Sequence, residues 1–277
     1  MPKSVSSLDG SRFPVPPAVA ERARALAAGT ATPAAVRRAS TVLLLRDGPD
    51  GLEVYVIRRH TTMAFAAGMY AFPGGSLDKR DEAAGVSPWE SAAARELFEE
   101  TGVLLAGASP AEVVADTTGE DFEADRMALV GRAMSFAEFL AKRSLVLRSD
   151  LLAHAGHWVT PDAEERRFDT YFYFAALPTG QLTRDVSTEA DRVAWIRPVD
   201  VEASVERGEM RMMPPTAVML ETLAELPTVA AAMEFARAHE VVRVAPTVLL
   251  DESGEARWSM GVESDSSKKL PGHRSCR

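Results

Sequence analysis

The chain has 277 residues, 46% of them hydrophobic, and a formal net charge of −9, enough apolar material for one large core or two small ones. No basic stripe interrupts the acidic balance, which disfavours binding along a nucleic-acid backbone or on an anionic membrane. The single cysteine, Cys276, lies in the last residues, so disulfides and thiolate metal sites are excluded. No apolar run approaches the roughly 18 residues of a membrane span, and Met1-Pro2-Lys3-Ser4 opens no signal-like segment, so we expect a soluble cytoplasmic protein.

Residues 1–38, rich in Pro, Ala and Ser, predict a surface lead-in with short helices at 17–28 and 33–38. The β-rich runs 40–46 and 52–58 flank Asp47-Gly48-Pro49-Asp50-Gly51, strong turn chemistry, and predict a hairpin. An irregular stretch, 59–70, leads to Phe72-Pro73-Gly74-Gly75, which reads as a strand end entering a tight turn whose glycines let backbone approach a ligand closely.

A helix follows with both ends marked. Ser87 is a suitable N-cap, Pro88 suits the first helical position, Glu90 completes a capping-box pattern, and Gly102 offers a left-handed stop. Trp89, Ala92, Ala93, Leu97 and Phe98 supply apolar surface. Glu96, Glu99 and Glu100 stand at i, i+3 and i+4, which puts them on one face about 5–6 Å apart at Cβ. Three carboxylates so placed repel one another unless a cation sits among them, the outline of a hard-metal site.

Beyond the helix, 109–152 shows helical spacing at 111–116, 121–134 and 136–142. Phe136, Phe139 and Leu140 make one apolar face, suited equally to core packing and to a cap that shapes a substrate site. Strands are expected at 157–161 and 168–177, the second central, around a charged tip containing Glu164 and Glu165. His157 has no second His or Cys nearby in sequence and reads as structural. A polar loop at 185–191 precedes a strand at 193–196. Helices at 199–208, 215–226 and 229–239 and a hairpin at 241–250 and 257–260 complete the fold, with a polar tail from 263, expected to be disordered.

Gly74-Gly75, a spacer, then Arg95-Glu96-Leu97-Phe98-Glu99-Glu100-Thr101-Gly102-Val103 resembles the box that defines the Nudix hydrolases. The resemblance implies an α/β fold, a Nudix-type α/β/α sandwich with a mixed sheet, here over 39–262 with an added helical insertion at 109–152. One feature departs from the family pattern. The spacer is six residues longer than usual, and Ser87 stands where a further Glu would fall counted back from Arg95. We expect the inserted segment 78–85 to bulge out as a loop.

The resemblance also implies a metal-assisted attack on a diphosphate. Mg²⁺, with Mn²⁺ as a substitute, is held by one or two carboxylates plus phosphate oxygens and water, and Glu96, Glu99, Glu100 and the Gly74 carbonyl are the expected ligands. One of the glutamates, or Glu189 in the loop before the 193–196 strand, is the expected general base. Asp191, Glu164 and Glu165 stand behind Glu189 in that choice. Arg95 is expected to orient a glutamate by a bidentate salt bridge.

Arg59, Gly68, Phe72 and Gly75, spaced ahead of the box, resemble in part the signature of the coenzyme A diphosphatase branch, with Ala64 where a second Arg would stand. They are the expected substrate-binding residues, and coenzyme A or an acyl-CoA is the expected substrate. An ADP-ribose or dinucleotide pyrophosphatase of the same fold, and a non-catalytic Nudix-like binding domain, are the alternatives. A nucleoside diphosphate is the expected small-molecule partner, without nucleic acid or membrane, and a homodimer is compatible with the sequence.

Overall fold

From Val36 to Gly48 the chain forms one strand, β1, whose interior alternates two fully buried pairs: Val42 and Leu44 on one face, Leu43 and Leu45 on the other. A strand apolar on both sides has to be covered on both sides, and this sets up a three-layer architecture. The computed structural model describes residues 13–61, 66–84, 86–186 and 190–264.

A helix, α1 (Pro17–Ala27), precedes β1, and β2 (Gly51–Arg59) returns antiparallel to it. Then come β3 (Tyr70–Ala71), β4 (Gly74–Ser76), a 3₁₀ turn at Lys79–Ala84 and α2 (Pro88–Thr101). After α2 the chain makes β5 (Ala106–Gly107), α3 (Glu120–Val130), α4 (Phe136–Lys142) and β6 (Val146–Leu147), and then the strands β7 (Ala153–Val159), β8 (Arg167–Ala176) and β9 (Ala190–Ile196). The remainder is α5 (Val201–Glu206), α6 (Pro214–Ala224), α7 (Val229–Ala238) and the hairpin β10 (Val242–Leu250) and β11 (Ala256–Ser264).

The main sheet runs β11-β10-β7-β8-β1-β2-β3, with β4 also paired to β1 and β9 to β2. It is mixed: β1 and β8 are parallel, as are β7 and β10, and the other pairs are antiparallel. On one face Leu43, Leu45, Val54 and Phe174 meet Val218, Leu220 and Leu223 of α6 and Ala232 and Met233 of α7. On the other, Val42, Leu44, Tyr55 and Tyr173 meet Ala93 and Leu97 of α2. The fold is the α/β/α sandwich expected from the sequence.

Three local expectations are corrected. Residues 36–38 extend β1 and are not helical; in strand form they gain a complete parallel ladder with Arg167, Phe168 and Asp169. Residues 111–116 are not a helix either, because the chain folds back on β5, where Ala106 O takes the Val114 N–H at 2.9 Å. The polar tail begins later than 263, since Glu263 and Ser264 pair with Arg243 and Val242; residues 265–277 lie outside the described residues.

Candidate active site

Helix α2 forms where its end signals placed it, although its N-terminal cap is half made. Ser87 occupies the N-cap without a side-chain hydrogen bond, while the Glu90 carboxylate accepts from the Ser87 backbone N–H. At the other end Gly102, with φ of 73°, donates its N–H to Phe98 O at 2.9 Å. Ala92, Ala93, Ala94, Leu97 and Phe98 are fully buried, which turns the carboxylates toward β4.

Arg95 is the hub of that face. Its Nε and Nη2 donate to the two Asp81 oxygens at 2.9 and 3.0 Å, and Nη2 also donates to Ser76 O at 3.0 Å. Nη1 donates to Glu96 Oε1 at 2.7 Å and to Glu99 Oε1 at 3.4 Å. The Arg95 pKa is raised: burial opposes the charge, but Glu96, Asp81 and Glu99 more than offset it. Glu100, 7% exposed, accepts the Gly74 N–H on Oε2 at 2.9 Å and so ties α2 to β4. Arg126 of α3 donates to the Glu99 backbone carbonyl at 2.7 Å, serving one of the helix's last carbonyls.

The tight turn expected at Gly74-Gly75 is instead strand β4, with Gly74 opposite Thr41 and Gly75 opposite Ser40 of β1, and both glycines are needed for close approach. A Cβ on Gly74 would lie 2.5 Å from Ser40 O, and one on Gly75 would lie 2.6 Å from Glu96 Oε1. The Glu96 carboxylate therefore rests against bare backbone. Burial pushes its pKa up to about 7, with Arg95 opposing the rise and Glu99 adding to it. Burial also raises the Glu99 carboxyl, again against Arg95.

The segment expected to bulge away does the opposite. The 3₁₀ turn at Lys79–Ala84 brings Asp81 in against α2, 1% exposed, where it forms the bidentate bridge with Arg95. Asp81 Oδ2 further accepts the Asp78 N–H at 2.8 Å. Sequence reasoning missed Asp81 by counting back from Arg95. Counted forward from Gly75, Asp81 stands after a gap of five residues, where the family pattern has its additional Glu. The bidentate bridge expected of Arg95 exists, with Asp81 as its acceptor.

A cavity of about 1130 Å³ opens on this face, lined among others by Gly74, Gly75, Arg95, Glu96 and Glu99 and by the cations Arg59 and Arg132. Arg59 and Gly68 meet through the Gly68 N–H to Arg59 O bond of 2.9 Å. Phe72 lines the cavity and is also core, 4% exposed. Glu189 lies outside the described residues. Of the residues behind it, Asp191 is paired with Arg58 across β9 and β2 at 2.6 Å and so belongs to the sheet, whereas Glu164 lines the cavity. Asp185, a loop carboxylate passed over in the sequence, acts together with Glu100 to raise the Tyr55 hydroxyl pKa, which burial raises most. His157 is structural: its Nε2 lies 2.6 Å from Asp169 Oδ1 and its ring packs on Tyr171.

The donor set suits a hard divalent ion. Asp81, Glu96 and Glu99 surround one guanidinium, Glu100 stands on the same helix beside Gly74, and all the donors are oxygens. Among the described residues no three His, Cys, Asp or Glu side chains close around a single point. Such a set suits a hard divalent cation that takes one or two carboxylates and leaves its other positions to phosphate and water.

Comparison with known proteins agrees with this geometry. The family pattern described as the NUDT19 Nudix domain matches residues 86–223. The Caenorhabditis elegans protein named "Putative nudix hydrolase 7" is 27% identical over 173 residues, 62% of this chain and 56% of its own length; the present chain thus spans little more than half of that relative. The crystal structure of a NUDIX hydrolase from Alicyclobacillus acidocaldarius superposes with a TM-score of 0.63 at 27% identity, covering 73% of this chain and 96% of that one. Fold and site together define a Nudix-type α/β/α protein. The chain belongs to the Nudix superfamily.

Proposed function

We propose that the protein is a Nudix hydrolase that cleaves the diphosphate linkage of a nucleoside diphosphate derivative with Mg²⁺, and that its substrate is coenzyme A or an acyl-CoA. The observation that carries the hydrolase reading is Arg95, fixed between Asp81 and the Glu96 and Glu99 carboxylates in the wall of a cavity that Gly74 and Gly75 of β4 also line. A protein without turnover would have little reason to keep three carboxylates around one buried guanidinium, with a fourth, Glu100, on the same helix.

Glu99, Glu100, Glu96 and the Gly74 carbonyl would hold the metal, which when bound neutralises the diphosphate and acidifies an attacking water. Arg95 fixes Glu96 through Oε1, which orients the carboxylate toward the cavity as a ligand or as the base for the attacking water. Asp81 keeps Arg95 from swinging into the site. Arg59 offers positive charge to the phosphates from the cavity wall. The coenzyme A reading is supported by Arg59 and Gly68, which meet as a pair, by Phe72 and Gly75 at their expected spacing, and by a cavity of about 1130 Å³, ample for a large two-part substrate.

The test is incubation with Mg²⁺ in ¹⁸O-water with coenzyme A, acyl-CoA, ADP-ribose and dinucleotides, followed by mass spectrometry of both products. Coenzyme A should yield adenosine 3′,5′-bisphosphate and 4′-phosphopantetheine. A kcat/KM for ADP-ribose or a dinucleotide tenfold above that for every CoA species would overturn the substrate assignment and leave the hydrolase class standing.

A further inference from the structure

The cavity has two kinds of wall. Near α2 it is lined by Asp81, Glu96, Glu99, Arg95 and the two glycines of β4; it then continues across one face of the sheet. Alternate residues of β8 (Phe168, Thr170 and Phe172) line it, and so do residues of β7, β10 and β11, as the two-residue period of a strand requires of positions sharing a face. Five strand intervals separate β4 from β11 in the sheet, so at about 4.8 Å per interval the cavity reaches up to roughly 24 Å along the sheet. Its far end, on β10 and β11, is made of Pro246, Trp258 and Met260. All three are half-buried, so each keeps apolar surface that no protein atom covers.

This end is braced. Val19 and Ala23 of α1, with Ala163, pack behind Trp258 and Val248, and Met260 rests on the core cluster containing Trp158 and Phe172. Trp258, Met260 and Pro246 all lie outside residues 86–223, the segment that matches the family pattern. The helical insertion, the sequence's own candidate for covering the substrate, reaches this cavity only at its near end, through residues such as Arg132 and Met134.

We propose that the apolar end is a chamber for a long apolar group on the non-nucleotide half of the substrate, a fatty acyl chain, and that Trp258 and Met260 set its depth. The proposal rests on the reading that the diphosphate lies at the carboxylates, because the occupant is fixed by continuity: whatever fills this end must extend from a group held at the other. An acyl chain needs no polar partner, and each methylene taken from water is worth roughly fourfold in affinity.

The test separates the chamber from the chemistry by using a probe without a diphosphate. Binding of S-octanoyl pantetheine and of pantetheine is measured by calorimetry in EDTA, on the wild type, Trp258→Ala and Met260→Trp. The octanoyl compound should bind the wild type at least tenfold more tightly. Trp258→Ala should lose at least fivefold of that preference. Met260→Trp fills the chamber instead of opening it, so it should lose the preference with its thermal melt intact. A wild type that binds the two compounds within twofold, or a folded Met260→Trp that keeps the full preference, overturns the proposal. A chain preference in a protein that hydrolyses no CoA upholds the chamber and removes the coenzyme A substrate assignment; CoA hydrolysis without any chain preference does the reverse.

Discussion

The 3₁₀ turn at Lys79–Ala84 and the helices α3 and α4 both lengthen the chain around α2, one before it and the other after it. The first is short and charged and ends in the site: Asp81 bridges Arg95, and Asp78, Lys79 and Arg80 join the cavity wall. The second is longer and carries aromatic residues, and its Phe136, Phe139 and Leu140 pack behind α2 against Phe98, Leu104 and Ala106. Sequence reading had the spacer outside and left the insertion open between cap and core. What decides the matter is the surface each segment has to satisfy. A buried guanidinium left unpaired is costly, so an acidic residue within reach is drawn in. A helix back made of Ala94 and Phe98 has to be covered by apolar side chains.

Phe139→Ala breaks this comparison if it is wrong, and it carries the largest expected effect. Phe139 is fully buried and stacks on Phe98 with ring centroids 5.2 Å apart. Truncation should cost about 3–5 kcal/mol of stability in a urea melt and leave KM unchanged for every substrate the folded protein accepts. A selective rise in KM for bulky substrates at wild-type stability would restore the cap reading of the insertion.

Asp81→Ala attacks the other side of the comparison. It removes one partner of a buried ion pair, which costs about 3–5 kcal/mol; Glu96 and Glu99 still face Arg95, so the lower end is expected. Turnover should fall at least tenfold with it, because the freed guanidinium can move onto the glutamates. Asp81→Glu should recover part of both losses. If Asp81→Ala were as stable and as active as wild type, the spacer would be a bulge after all, and Arg95 would be held by Ser76 O and the glutamates alone.

Glu100→Gln sharpens the picture on the helix itself. Gln keeps an oxygen for the Gly74 N–H, so the tie to β4 should survive and the fold should be little changed. Loss of the charge should lower Mg²⁺-dependent kcat about a hundredfold, equivalent to about 2.7 kcal/mol of barrier. Near-normal turnover would mean that Glu100 serves the backbone only.

Legibility in the sequence followed the range of the signal. The i, i+3, i+4 spacing of Glu96, Glu99 and Glu100, the Gly102 stop and the hairpin of β1 and β2 depend on neighbours within a few residues, and all were readable. The role of Asp81 depends on Arg95, fourteen residues away, and was readable only by counting from the glycines as well as from the arginine. The brace of α1 behind Trp258 joins residues near opposite ends of the chain, and nothing local announces it. The stretch 111–116 had helical spacing, but the Ala106 carbonyl it pairs with was open to it only because β5 had formed.

The smallest expected effect is the most direct test of what the carboxylates are for. Glu99 meets Arg95 at 3.4 Å, a longer and weaker contact than the 2.7 Å of Glu96, and burial raises its pKa, so the charged form is held there at a cost. Glu99→Gln forfeits a weak ion pair and relieves like-charge repulsion from Glu96 and Asp81. Such repulsion on a helix face is worth a few tenths of a kcal/mol. In EDTA the variant should therefore melt within about 0.5 kcal/mol of wild type, or slightly above it. Millimolar Mg²⁺ should then separate the two: a ligand at a hundred times its Kd stabilises the wild type by about 2.7 kcal/mol, and the variant should gain much less. A Glu99→Gln protein that melts well below wild type in EDTA would show that this carboxylate is a structural partner of Arg95, and the metal would then have to be held by Glu96 and Glu100 without it.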